Sequence, residues 1–358
     1  EGVSDLWSIY SAAWHDVGPG STAPGPPYLL LLWIVGVPLL GKASLAVTIV
    51  MLLAVPFAGW SAWFALRGVI SSVPIRLWAA VAYATIPAVT GAVSSGRIGT
   101  CIVAFALPFT IRSLARIARP QGTVRRAAGT ALLLAVVLSV APVLWATATI
   151  VCLAFVILMW SRVGRGAWPV TRRMVVALFA PLLLLAPWSL HLLASPTRLL
   201  LQPGVTSSST TDASVTALDV LLLHPGGPGM TPVWVSAGII LGALLALLRT
   251  DRILAIAGCW AVATLALLVG VLQTLVPVLP PGATTPVPSW TGQTILLLGA
   301  TLITAIALAA DGLRERRSGV SFSIATPALL VLAAGDWTER ARQSASHNQP
   351  AAAPDRAK

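Results

Sequence analysis

The sequence predicts an all-α, polytopic membrane helical bundle of about ten spans plus one re-entrant segment. Three observations carry that prediction. The 358 residues are 57% hydrophobic and only 9% charged, with a mean hydropathy of +0.87, where a soluble domain carries about 25% charged residues. Apolar runs long enough to cross a hydrocarbon core recur through the chain. Arginines crowd into alternate connections between those runs, as the positive-inside rule requires of a multi-pass protein. The net charge of +12 would point to nucleic acid in a soluble chain; here topology accounts for it, and no nucleic-acid partner is expected.

The first element is the re-entrant one. In GSTAPGPPYLLLLWIVGVPLLGK, residues 20–42, the apolar run 28–40 is 13 residues long. A hydrocarbon core of ~30 Å needs about 20 helical residues, so a run this short dips in and returns. Pro26 and Pro27 suit a helix start, where a missing N–H costs little. Residues 1–43 are therefore read as an outer loop with a re-entrant segment.

Residues 44–334 are read as the transmembrane bundle, with apolar runs at 44–66, 75–92, 98–111, 127–160, 174–193, 232–248, 253–273, 293–310 and 321–334. The run 127–160 is too long for one crossing and has arginines at both ends. It is expected to be a helical hairpin turning near Pro142. With 112–126 placed inside, most of the 23 Lys and Arg fall inside, leaving Lys42, Arg97 and Arg198 in outer loops. That asymmetry predicts a multi-pass protein of the plasma membrane. Outer loops at 194–231 and 275–292 are rich in Ser, Thr, Gly and Pro and read as irregular. The tail, 335–358, turns to Arg, Gln, Ser, Ala and Pro and reads as disordered. The chain begins at Glu1 without Met and is expected to be a piece of a longer protein.

No Walker loop, dinucleotide fingerprint, zinc spacing or nucleophile elbow is present in the sequence. Cys101, Cys152 and Cys259 fall singly inside apolar runs, which indicates neither disulfides nor a metal site. The 11 acidic residues are all expected in loops or the tail, Asp311 among them. Ion-coupled transport needs ionisable groups near the midplane, so this pattern weighs against it.

The chemistry-bearing residues gather outside. EGVSDLWSIYSAAWHDVGPGS carries Asp5, His15 and Asp16 with Trp7, Tyr10 and Trp14. A helix over 4–14 puts the three aromatics at i, i+3 and i+7 on one face. One reading is an interfacial anchor. The other adds a carboxylate acting as general base on a sugar hydroxyl beside stacking rings. Arg97, in the outer turn SSGRIG, reads either as a snorkelling arginine or as a clamp on the phosphate of a lipid-linked substrate. His191 and His224 read as surface residues without a second metal ligand.

The order of these features resembles membrane glycosyltransferases of the GT-C type, which use polyprenyl-phosphate sugars. The matching pieces are DLWSIYSAAWHD, GPPYLLLLWIVGVPLLGK, the span ending at Arg67, YATIPAVTGAVSSGR and ALPFTIRSLAR. The pattern DLW…Y…WH…GS…P.PP across the first two of them is also similar to the membrane half of large actinobacterial proteins that join such a bundle to a family 2 glycosyltransferase domain. The resemblance implies an inverting sugar transfer from a polyprenyl-phosphate donor to a glycan or other cell-envelope acceptor on the outer face. Asp5 or Asp16 would be the catalytic base, and Arg97, His15, Trp7, Trp14 and Tyr10 would bind substrate among membrane lipids. It implies no fixed cofactor and leaves a divalent metal open. Two alternatives stand beside it: a non-catalytic membrane module of a family 2 glycosyltransferase, and a lipid-linked-sugar transporter or flippase.

Overall fold

The computed structural model describes residues 2–12, 24–203, 215–226, 233–280 and 286–318, with side chains as far as 313. All its regular elements are helices, and two isolated β-bridges are the only extended pairings among the described residues. In chain order the helices are α1 (Val3–Ser11), α2 (Tyr28–Gly36), α3 (Ala43–Leu66), α4 (Val73–Ala84), α5 (Pro87–Ser94), α6 (Ile98–Ala118) and α7 (Val124–Val140). They continue with α8 (Pro142–Val163), α9 (Trp168–Leu184), α10 (Trp188–Ala194), α11 (Ala217–Leu221), α12 (Val233–Ala246), α13 (Ile253–Leu275) and α14 (Gly292–Ser318). Six helical stretches among the described residues are long and apolar enough to cross a membrane: Ala43–Leu66, Val73–Ser94, Ile98–Ala118, Pro142–Leu184, Ile253–Leu275 and Gly292–Leu313. Large apolar side chains such as Leu52, Leu132, Ile157, Leu183 and Leu248 stay exposed. An outward-facing apolar surface of that extent fits contact with lipid.

Proline punctuates the helices. Pro87 separates α4 from α5 inside one predicted run, because a proline disfavours helical backbone in the residue before it. Pro142 lacks the N–H that would continue α7, and α8 starts afresh there. The Trp160 indole donates to Thr171 in the first turn of α9 at 2.9 Å, while Arg173 in the next turn donates to Gly122 O just before α7. Both ends of the pair α7–α8 therefore meet the start of α9, and the predicted hairpin reverses at Ala141. The predicted run 174–193 is not one helix: α9 stops at Leu184 and α10 begins beyond Pro187. The run 98–111 is longer than its apolar letters, since α6 continues through Arg112 and Arg116 to Ala118. The runs at 321–334 and the tail lie outside the described residues.

The core forms around α14. Of its apolar window 78% is buried, against 22% for α3, which makes α14 the central helix and α3 a peripheral one. Ile295, Leu296, Ile303 and Leu308 are fully enclosed. Where α3, α4 and α6 approach one another, the buried residues are small: Ala58, Ala62, Ala79, Ala80 and Ala104. Small residues let helix backbones come close where lipid supplies no hydrophobic drive between helices.

One acidic residue departs from the sequence reading. Asp311 sits within α14 rather than in a loop, and is 1% exposed. Its carboxylate accepts the backbone N–H groups of Ser71 at 3.0 Å and Ser72 at 2.9 Å, the Ser71 hydroxyl, and Arg252 at 3.5 Å. The start of α4 offers N–H groups that lack a partner within the helix itself and the positive end of its dipole. A carboxylate from a distant helix satisfies both, which is why the charge can lie inside the bundle.

Candidate functional site

The bundle has two chemically different ends. Arg67, Arg76, Arg112, Arg116, Arg119, Arg125, Arg126, Arg162, Arg165, Arg172, Arg173, Arg249 and Arg252 stand at helix ends or turns on one side. Contacts across that side tie them together: Arg112 donates to Phe64 O, Arg76 lies over Trp63 at 4.7 Å, Arg173 holds Gly122, and Arg252 reaches Asp311. The other side carries Lys42, Arg97 and Arg198.

At this second end four loops converge on Arg97. The turn Ser95–Arg97 follows α5, and Arg97 forms the N-cap position of α6. Its guanidinium lies over the Trp290 ring, 3.9 Å from the centroid, and the residue is only 3% exposed. Burial pushes the guanidinium down to about 10, still charged at neutral pH. The Trp290 indole donates to Thr100 Oγ1 at 3.1 Å, so ring and cation are held by the same turn of α6. Gln273, at the end of α13, donates to Leu200 O at 3.0 Å and Trp290 O at 3.2 Å and accepts from Thr294 at 2.7 Å. Its amide ties the segment after α10 to the segment before α14. Gln293 donates to Val140 O at 2.8 Å, a helix-end carbonyl next to Pro142. Gly99 is a point of close approach: a Cβ there would sit 2.7 Å from Gln202 Nε2.

Three buried oxygens in this cluster have no hydrogen-bond partner among the described residues: Gln202 Oε1, Ser289 Oγ and Thr291 Oγ1. Leaving such groups unmade costs about 1–3 kcal/mol each, and in native proteins they are met by water or by a ligand. A cation on an indole face, with buried hydrogen-bonding oxygens on the segments that carry the ring and pack on the same helix end, is a set of groups that suits a phosphorylated, hydroxyl-rich molecule.

The sequence-predicted residues divide. Arg97 is at the centre of this cluster. Asp5 is in the first turn of α1, where one carboxylate oxygen accepts the Gly2 N–H at 2.8 Å and the other meets Ser4 at 3.5 Å; its bonds stay within its own helix end. Helix α1 is shorter than the predicted 4–14, because the chain turns extended at Ala12. Trp7 and Tyr10 do pack together, ring centroids 6.1 Å apart, and Trp7 also meets Trp33 of α2 at 5.4 Å. Gly2 bridges to Lys42, and Val3 N donates to Gly41 O at 2.9 Å, so α1 closes onto the start of α3. Trp14, His15 and Asp16 lie outside the described residues. His191 is exposed as expected, but His224 is not a surface residue: it is 3% exposed, and the adjacent Pro225 packs by Gly91, just before the Arg97 turn. Among the described residues no three His, Cys, Asp or Glu side chains gather in a way that could hold a metal ion.

Trp290, Gln202, Gln273 and Gln293 were not singled out by the sequence reading. The signal was there in Gln273 and Gln293, lone amides at the ends of apolar runs, since a polar side chain is kept in such a position only with a partner. Comparison with protein-family models, with curated proteins and with solved structures found no match.

Proposed function

We propose that this chain is the membrane portion of an actinobacterial GT-C-like glycosyltransferase, crossing the plasma membrane about ten times. It transfers a sugar from a polyprenyl-phosphate donor to a cell-envelope acceptor at the outer face. The observation that supports this most is Arg97, buried on the Trp290 ring with Gln202, Ser289 and Thr291 oxygens close by in the same cluster. The positive-inside rule assigns the arginine-rich end to the cytoplasm, which puts Arg97 outside.

In the proposed step a carboxylate, Asp5 or Asp16, takes the proton of an acceptor hydroxyl. That oxygen bonds to the anomeric carbon as the bond to the polyprenyl phosphate breaks, and the departing phosphate keeps the electron pair. Arg97 stabilises the charge that grows on the leaving oxygen. Trp7 and Tyr10 offer ring faces to the sugar near the membrane surface.

A second reading is favoured by the capping role of Asp5: a membrane module that holds lipid-linked substrate without chemistry of its own. Transfer of radiolabelled sugar from a polyprenyl-phosphate donor, measured in membranes carrying the parent protein, separates the two. Asp5→Asn or Asp16→Asn is expected to lower turnover about 10²–10⁴-fold with donor binding kept, and Arg97→Ala to weaken both. Transfer at near-normal rates in all three variants would remove the catalytic reading and leave the module.

A further inference from the structure

At the opposite end the proposed reaction leaves a cavity unused. Its volume is about 480 Å³, and its apolar wall includes Leu107, Val151, Phe155, Val262, Leu265 and Leu297 from α6, α8, α13 and α14. Binding pockets commonly measure about 300–1,000 Å³. The cavity's only charged lining residues are Arg112, Arg116 and Arg119. They stand at i, i+4 and i+7 near the end of α6, hence on one face.

The helix dipole favours cations at a helix C-terminus. That accounts for an exposed Arg116, and Arg112 gives one of its N–H groups to Phe64 O, but neither accounts for Arg119 held half-buried beside an apolar chamber, nor for the remaining N–H groups of Arg112. No carboxylate pairs with any of the three among the described residues; the ion pairs there are Arg249–Asp251 and Arg252–Asp311. Burial and the neighbouring Arg116 push the Arg119 guanidinium below its ordinary value, the direction given by a cation lacking a counter-charge. Arg173, donating to Gly122 O and to Pro120 O at 3.4 Å, fixes the turn that follows Arg119. The wall is thus apolar, and its rim is a preformed row of cations.

We infer that this cavity binds an anionic membrane lipid, with one hydrocarbon chain between α8 and α13 and its phosphate head on Arg112, Arg116 and Arg119. The site is separate from the proposed donor phosphate. Arg97 and Arg119 flank the two ends of α6, 21 residues long, which sets them roughly 30 Å apart at about 1.5 Å per residue. The inference holds whether or not sugar transfer takes place at Arg97.

The test uses the full chain in phosphatidylcholine nanodiscs, with phosphatidic acid and phosphatidylcholine probes that carry a photoreactive diazirine in one acyl chain. Crosslinks are mapped by peptide mass spectrometry. The phosphatidic acid probe is expected to label α8 and α13 peptides that face the cavity at least about fivefold more than the phosphatidylcholine probe, since a single basic charge near a surface is worth about a factor of five. Unlabelled phosphatidic acid should compete, and inorganic phosphate at the same concentration should not. The pair Arg116→Gln and Arg119→Gln, neither of which makes a side-chain hydrogen bond among the described residues, should abolish that preference without moving the thermal unfolding midpoint. Arg116→Lys with Arg119→Lys should keep most of it. Ala148→Phe, which narrows the chamber, should lower labelling with all three arginines intact. Equal labelling by the two probes, an unchanged preference in the glutamine pair, or full competition by inorganic phosphate would each overturn the inference.

Discussion

The two ends of this bundle solve opposite problems with buried charge. At the arginine-rich end, Asp311 is surrounded: two backbone N–H groups, a hydroxyl and Arg252 all point to its carboxylate. At the other end, Arg97 lies on an aromatic face with buried oxygens in the same cluster that no described group satisfies. The first arrangement is structural, because backbone and side-chain donors of the protein already fill the carboxylate. The second leaves hydrogen-bonding capacity over, and that surplus is what a binding site needs. A buried ion by itself says little; the fraction of its surroundings already employed separates a strut from a site.

The largest expected effect tests the strut. Asp311→Ala should destabilise the protein by about 3–5 kcal/mol, since it removes the buried carboxylate on which Arg252 and the N–H groups of Ser71 and Ser72 converge. Equilibrium denaturation in detergent measures it. A loss below about 1 kcal/mol would mean that α4 does not depend on α14 for its cap, and the contrast between the ends would fail.

Next comes the amide that joins the loops at the other end. Gln273→Leu keeps the volume but takes from Leu200 O and Trp290 O the amide that joins them, while the Thr294 hydroxyl keeps its bond to Thr291 O. The cost should be about 1–3 kcal/mol, and tryptophan fluorescence should change as the Trp290 segment loosens. If stability falls while the fluorescence holds, Gln273 supports α13 alone and does not organise the Arg97 cluster.

The smallest effect sharpens the comparison away from both charged centres. Thr216 and Asp219 form a capping box on α11, and hydrogen bonds from Thr216 with the nearby His224 push the Asp219 carboxyl below its ordinary range. Thr216→Ala should cost about 1 kcal/mol. The folded-state value of Asp219 is lowered, so its contribution is complete above the unfolded value near 3.8 and is lost as pH falls through the folded one. The gap between Thr216→Ala and the parent protein should therefore narrow under strong acid, because the hydroxyl's bond to the carboxylate weakens while its cap bond from the Asp219 N–H stays, and a constant gap down to that pH would refute the assignment.

Much of the helix order was legible in the sequence, because hydropathy and proline act locally. The hairpin at Ala141 follows from a run too long for one crossing with Pro142 in its middle. The stop at Leu184 was harder, since 174–193 is apolar throughout and composition does not register where a helix ends within it. Arg97 was legible as a cation on the wrong side of a charge pattern. Trp290 and Gln202 were not: they belong to loops remote from Arg97 in sequence, and only the packing of α13 and α14 brings them to α6. Asp311 was misread for a related reason. Its partners, Ser71 and Ser72, are 240 and 239 positions away, so nothing near it in the chain marks it as a buried cap.

Helix α14 joins both ends through two side chains. Gln293 is fastened to the α7 terminus and Asp311 to the α4 start, eighteen residues apart in the chain, or about 27 Å of helix. That span nearly equals the ~30 Å of a hydrocarbon core. One central rod, pinned top and bottom to different neighbours, works as a length gauge. A bilayer much thinner or thicker than the rod cannot be met by sliding α14 without releasing one of its pins. The molecule's tolerance for membrane thickness is then a matter of two hydrogen-bonded anchors, and it should narrow or widen as those anchors are strengthened or removed.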